Sequence, residues 1–260
     1  MSAYSAKLLQ GKRVVITGAG KGIGRSVAIT LARNGADVCV ASRTKEDVDE
    51  LVREINKTSP VRVLGIGADV TKKQDASRLI ADSLNFLGGI DAVVCAAGFP
   101  LLSELWDRPL HEFEEDDLLN VFKVDVIGSF LVIKEALPIM IRQNSGVIVA
   151  FSSTPAVAGY EKGAPYTVAK AANLGLIKEI ASEYGKHNIR AYAIAPGNIK
   201  TGRTFERLTS EEKSALANEA PMKRWGEPNE VGETVSALVS DKFSFVTGQT
   251  IIVDGGTVML

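Results

Sequence analysis

The chain has 260 residues, Lys+Arg 30 against Asp+Glu 31, and a formal net charge of −1. Hydrophobic residues make up 45%, charged residues 23% and aromatics 6%, which excludes a disordered, collagenous or coiled-coil chain. The even charge balance offers no general attraction for nucleic acid or an anionic membrane. No stretch approaches the ~18 apolar residues of a membrane span. Met1–Arg13 holds only the short apolar pair Leu8–Leu9, too little for a signal peptide. The expectation is a cytoplasmic protein. Cys39 and Cys95 each lie inside an apolar run and read as buried, reduced thiols. No cysteine or histidine spacing suggests a metal site.

In chain order, short β-branched runs alternate with helical patterns. Arg13–Thr17 (RVVIT) reads as a buried strand, followed by a helix from Gly22 to Asn34 with Gly35 as its stop. Asp37–Ala41 is a second strand. The next helix carries Val48, Leu51, Val52 and Ile55 on one stripe, with Thr44 as N-cap. Val61–Ile66 is a third strand, and Thr71–Gln74 has the capping-box form for the helix after it. Ala92–Ala96 is strand four, and a long helical stretch runs from about Phe113 to Arg142. Val147–Phe151 is strand five, Pro165 to Lys186 a helix, and Arg190–Ala195 strand six. Asn229–Val239 is a shorter helix and Thr250–Val253 a last strand. This alternation predicts an α/β fold, a doubly wound parallel sheet with helices on both faces. It never breaks for a linker, so residues 1–260 read as one domain. The polar segment Asn198–Trp225 interrupts the rhythm and reads as a lid over a site.

The turn after the first strand, Thr17 to Gly24, is rich in glycine and opens a helix. Such a turn lets backbone approach a pyrophosphate, and the helix N-terminus offers free N–H groups. The fit is G-x-x-x-G-x-G through Gly18, Gly22 and Gly24, with Gly20, Lys21 and Ile23 inside it. The common G-x-G-x-x-G form fails because position 23 is Ile, and no Gly-Lys-Ser/Thr closes a P-loop. At the tip of the second strand, where an NAD site places a carboxylate for the ribose, stand Ser42 and Arg43. A guanidinium there, with Lys21 nearby, suits a 2′-phosphate, so NADP(H) is the expected cofactor.

Tyr166 and Lys170 lie one turn apart on one helix face, and Ser153 falls just beyond strand five. Together these pieces resemble the short-chain dehydrogenase/reductase family over nearly the whole chain. Its active-site Ser, Tyr and Lys match Ser153, Tyr166 and Lys170. Its Asp-Val pair facing adenine matches Asp69 and Val70, and Pro196-Gly197 continues through Ile199 and Thr201 toward the nicotinamide. Its closing T-G-Q-x-x-x-V-D-G-G is Thr247 to Gly256. The resemblance implies a single-domain Rossmann-type fold and a carbonyl reductase in which Tyr166 is the proton donor. Lys170 assists it and holds the nicotinamide ribose, while Ser153 binds the substrate oxygen.

Three departures from the family pattern stand out. The family's N-N-A-G appears as Cys95-Ala96-Ala97-Gly98, with Ala97 and Gly98 expected to line the cofactor. In the family's sheet order Cys39 and Cys95 flank the first strand from opposite sides, too far apart for a disulfide. Asp125 replaces an Asn that helps hold a relay water near the Lys. It either substitutes in the relay or accepts a backbone donor at a helix kink. Tyr192 stands where relatives often have Asn. His111 and His187 lack catalytic partners, and no G-x-S-x-G elbow supports a hydrolase.

Similarity to the 3-oxoacyl reductase branch, including Pro221, Arg224, Gly226, Pro228, Glu230 and Val231, implies a substrate carried on acyl carrier protein or coenzyme A and a place in fatty acid metabolism. A sugar, polyol or small-ketone dehydrogenase is the alternative, and a non-catalytic NADP sensor is the alternative of another class. The resemblance also implies a homotetramer built on the two long helices.

Overall fold

The computed structural model describes residues 7–100 and 103–259, apart from the side chains of residues 103, 104, 203 and 204. The N-terminal reading therefore falls partly outside the described residues, on Met1–Ala6. Seven strands form one sheet: β1 (Arg13–Thr17), β2 (Asp37–Ser42), β3 (Val63–Gly67), β4 (Ala92–Cys95), β5 (Gly146–Phe151), β6 (Ile189–Pro196) and β7 (Gln249–Val253). Their order is β3-β2-β1-β4-β5-β6-β7, and every pairing is parallel. The order reverses between β1 and β4, and in open α/β sheets a ligand crevice forms outside the strand ends at that point.

Strand alternation divides the core into two layers. Val14, Ile16, Val38, Val40 and Val149 face one layer, covered by α1 (Gly22–Arg33), α2 (Lys45–Thr58) and α8 (Pro228–Val239). Val15, Cys39, Val93, Cys95 and Ile148 face the other, covered by α3 (Lys73–Leu87), α5 (Gly128–Gln143) and α6 (Ala164–Tyr184). β1 separates the two cysteine strands, Cys39 lying beside Val15 and Cys95 beside Thr17. Both thiols are free, and burial raises the Cys39 pKa to about 11 and that of Cys95 to about 12. Tyr192 is fully buried; its hydroxyl reaches the carbonyls of Phe243 and Val246 and Arg190 Nη1 donates to it, so it ties β6 to the loop before β7.

Several local expectations need correction. The long helix predicted from Phe113 to Arg142 is not continuous. Phe113 and Glu114 are extended, and α4 (Glu115–Phe122) begins after them, with Asp117 Oδ2 accepting the Glu114 N–H at 3.1 Å. A π-turn, Lys123–Ile127, then joins α4 to α5. The Thr71 capping box does not form, because the Thr71 hydroxyl donates to Asp69 Oδ1 at 2.8 Å and α3 starts at Lys73. Thr44 precedes α2 without a side-chain cap; Glu46 and Asp47 place negative charge in its first turn, favourably toward the helix dipole. β3 starts at Val63 rather than Val61, since the Arg62 N–H is held by Asp37 Oδ1 at 2.8 Å. Segment 198–225 contains a one-turn helix, Gly202–Phe205, and α7 (Ser210–Glu219), capped by Thr209, whose hydroxyl accepts the Glu212 N–H.

Candidate active site

The crevice is built first from glycine. Gly18 has φ +67°, and a Cβ there would strike the backbone of Ala96 and Ala97. A Cβ on Gly24 would strike the Gly18 carbonyl, and one on Gly20 would lie 2.8 Å from Ser42 Oγ. The turn therefore packs against the loops after β4 and β2 in a way larger residues would block. Gly22 approaches Thr201, with 3.7 Å from its ideal Cβ to Thr201 Cγ2, so the segment after β6 closes the other side. Pro196 ends β6, and Gly197 packs on Asp254, where a Cβ would come within 2.6 Å of that side chain. Ile199 is buried. Lys21, the N-cap of α1, makes no side-chain cap, which leaves the first N–H groups of that helix open to an anion. These features fit a dinucleotide pyrophosphate.

Arg43 is exposed at the tip of β2. Lys21 lies 3.3 Å from Asp47 Oδ2, a carboxylate at the start of α2. Asp47 is a residue the sequence reading missed. Its spacing from Lys21 carries no signal, because the contact joins two different helices. Asp69 spends its Oδ1 on Thr71, and Val70 is buried against Gly128, where a Cβ would lie 2.7 Å from Val70 Cγ2. Ala97 N–H donates to Thr17 Oγ1 at 3.4 Å.

Ser153, Tyr166 and Lys170 converge at the same end of the sheet. Ser153, buried just past β5, donates to the Pro196 carbonyl at 3.4 Å. Ser152 ties that loop to α6 through the Lys170 carbonyl at 2.9 Å. Lys170 Nζ lies 5.5 Å from the Tyr166 ring centre and 3.4 Å from the Phe151 carbonyl. Gly98 comes close to the same ammonium, with 3.6 Å from its ideal Cβ to Lys170 Nζ.

Asp125, in the π-turn, is fully buried and stands 2.5 Å from Lys170 Nζ, an ion pair that lies off hydrogen-bonding angles. Its other oxygen accepts the Phe99 N–H at 2.6 Å. Burial would lower the pKa of the Lys170 ammonium, but the charge of Asp125, helped by Tyr166, outweighs burial and raises it. Asn173 completes the cluster: its amide donates to the Phe151 carbonyl at 3.0 Å and the Asp125 carbonyl at 3.2 Å. The sequence reading missed Asn173, although Tyr166, Lys170 and Asn173 make an i, i+4, i+7 stripe on α6. Trp106 was also missed; its ring stands edge-on to Tyr166, with centres 5.8 Å apart.

A sheet of this order with a glycine turn and a Ser, Tyr and Lys at its carboxyl end defines a nucleotide-dependent oxidoreductase. The comparisons agree. A family model described as Enoyl-(Acyl carrier protein) reductase matches residues 18–258. The 3-oxoacyl-(acyl-carrier-protein) reductase FabG of Thermotoga maritima is 35% identical over 251 residues, covering 96% of this chain and 99% of the relative. Glucose 1-dehydrogenase of Gluconobacter oxydans is 32% identical over 95% of this chain and 91% of its own. A solved 7α-hydroxysteroid dehydrogenase, complexed with NADH and 7-oxo glycochenodeoxycholic acid, superposes with a TM-score of 0.90 at 30% identity, covering 100% of this chain and 99% of that one. The chain belongs to the short-chain dehydrogenase/reductase family. Among the described residues, no helix is long and apolar enough to cross a membrane.

Proposed function

We propose that the protein is an NADPH-dependent reductase that turns a ketone into a secondary alcohol, with a 3-oxoacyl thioester on acyl carrier protein or coenzyme A as substrate. The observation that carries the reaction class is the meeting of Ser153, Tyr166 and the paired Lys170 beside the glycine turn. When bound, the reduced nicotinamide supplies a hydride. Ser153 donates a hydrogen bond to the carbonyl oxygen and stabilises the charge that develops on it. Tyr166 gives that oxygen its proton. Free phenols ionise near pH 10, so proton transfer at neutral pH gains from the ammonium of Lys170 one turn away. In this reading Asp125 and Asn173 position Lys170, and segment 198–225 serves as the lid.

Arg43, exposed at the tip of β2, and Lys21, exposed in the glycine turn, support the phosphorylated cofactor as two cations able to pair with a 2′-phosphate. The substrate reading is supported by the names of the 3-oxoacyl reductase relatives. The glucose dehydrogenase relative favours a second reading, a sugar or small-ketone dehydrogenase. The test is NADPH oxidation with acetoacetyl-CoA against a panel of diketones and small ketones, alongside NADP-dependent oxidation of glucose. Turnover of acetoacetyl-CoA with NADPH well above NADH supports the proposal. Preferential oxidation of glucose selects the second reading, and NADPH binding without turnover of anything selects a sensor. A cytoplasmic location and a homotetramer joined through α4–α5 and α6 belong to the same proposal, the latter checked by light scattering.

A further inference from the structure

We propose that Trp106 selects the substrate: it caps a small apolar pocket beside Tyr166 that takes the organic group next to the reacting carbonyl, admitting a short apolar group and rejecting a polyhydroxylated one. The inference rests on Tyr166 being the proton donor of the proposed reduction, because only then does this pocket adjoin the reacting carbon.

Trp106 ends the one-turn helix Ser103–Trp106 in the connection after β4. Its ring is held between two tyrosines, edge-on to Tyr166 at 5.8 Å and tilted against Tyr160 at 5.7 Å, both within the range of favourable aromatic pairs. The backbone is fixed as well. The Gly163 N–H donates to the Trp106 carbonyl at 2.9 Å. Gly163 has φ +69°, and a Cβ there would fall on the indole carbons, so the ring rests on a bare Cα at the start of α6.

Between Trp106 and Tyr166 lies a cavity of about 20 Å³ lined by Phe99, Leu105, Val121 and Pro165. That is room for about one water molecule. Among the described residues the lining carries no charged side chain, and the charges of Asp107, Arg108 and Lys162 are taken up in the ion pairs Lys162–Asp107 and Arg108–Asp117. Two walls are tied down, Phe99 through its N–H to Asp125 and Val121 by burial. Trp106 therefore sets the size of the space. A sugar-like group would lose water from several hydroxyls with no partner to replace it. A short apolar group gains burial, while a long acyl chain has to displace the indole.

The test compares kcat/KM for acetoacetyl-CoA and 3-oxodecanoyl-CoA in the wild type, Trp106→Phe and Trp106→Ala. The expected result is a wild type that prefers the short thioester. The long-to-short ratio should rise about tenfold or more in Trp106→Ala, through KM, with Trp106→Phe in between. A ratio that stays constant across the three proteins overturns the inference, as does a wild type that already prefers the long chain. Should the wild type reduce no thioester, the thioester reading fails by itself, and the same ratio is then read on a short and a long methyl ketone. A measurement independent of turnover uses Trp225→Phe, which leaves Trp106 the only tryptophan of two. Saturating cyclohexanone should change its emission in this protein, and an unchanged spectrum overturns the inference even where Trp106→Ala fails to fold.

Discussion

Asp125 holds one oxygen against the Lys170 ammonium and the other against the Phe99 N–H. An amide in its place still accepts from Phe99 but leaves a buried cation without its counter-charge. Asp125→Asn should therefore cost about 3 kcal/mol in denaturant unfolding near neutral pH, the range for breaking a buried pair. The sign follows from Lys170, whose folded pKa is raised. Its contribution to stability is fully present below the unfolded value of about 10.4 and is lost as pH rises through the folded value. In the variant the alkaline limb of the turnover profile should move to lower pH, because the charge that raises the Lys170 pKa is gone. Unchanged turnover and an unchanged profile would remove Asp125 from the mechanism. Asp47 acts at the other end of the crevice, where it shares Lys21 with any incoming phosphate. Asp47→Asn should tighten binding of 2′,5′-ADP by about 0.2–1 kcal/mol and leave 5′-AMP unchanged, read by calorimetry. The thiols of Cys39 and Cys95, their pKa values raised to about 11 and about 12, should resist alkylation at pH 8 until the protein unfolds.

Among the elements, those specified by their own residues were legible and those specified by neighbours were not. The stripe Val48, Leu51, Ile55 reports α2 directly, because it is the face that packs. The π-turn at Lys123–Ile127 has no such signature; it exists because Asp125 must reach Lys170 and Phe99, partners far away in sequence. The same reason hid Thr71, whose hydroxyl is drawn to Asp69 instead of to α3. At α8 the decisive group is Glu230. It holds Arg224 through both oxygens, at 2.7 and 2.8 Å, and accepts the Glu227 N–H at 2.7 Å. The Arg224 guanidinium and that N–H lower its pKa to about 2. Its contribution is present above the unfolded value of about 4.3 and is lost as pH falls toward 2. Because the pair is partly exposed, the loss should stay below about 1 kcal/mol. Glu230→Gln should flatten the acid limb of an unfolding curve between those limits.

Across the whole molecule, the regular alternation of strand and helix announced the sheet, and the glycine turn and the Ser153, Tyr166, Lys170 set announced the end of it where these residues meet. Trp106 and Asp47 stayed hidden because each acts through a contact between segments whose separation only the folded chain closes. The two covering layers also depend on close helix contacts. α8 meets α1 at Gly232, where a Cβ would lie 2.5 Å from Thr30 Oγ1. Gly232→Ala should cost about 1–3 kcal/mol by overpacking, seen as a lower unfolding midpoint, with acetoacetyl-CoA turnover retained in the folded protein.

The widened turn between α4 and α5 also acts as a phase adjuster. An α-helix advances about 100° per residue, so one extra residue rotates everything beyond it by that much. Before the turn, the helix presents Val121 to the site; after it, Val132, Ile133, Ala136 and Met140 lie against the sheet layer. Removing a single residue there would restore an unbroken spiral and swing one of these two sets off its target. The chain can thus keep a cavity wall and a core wall on one rod only while that irregularity is preserved.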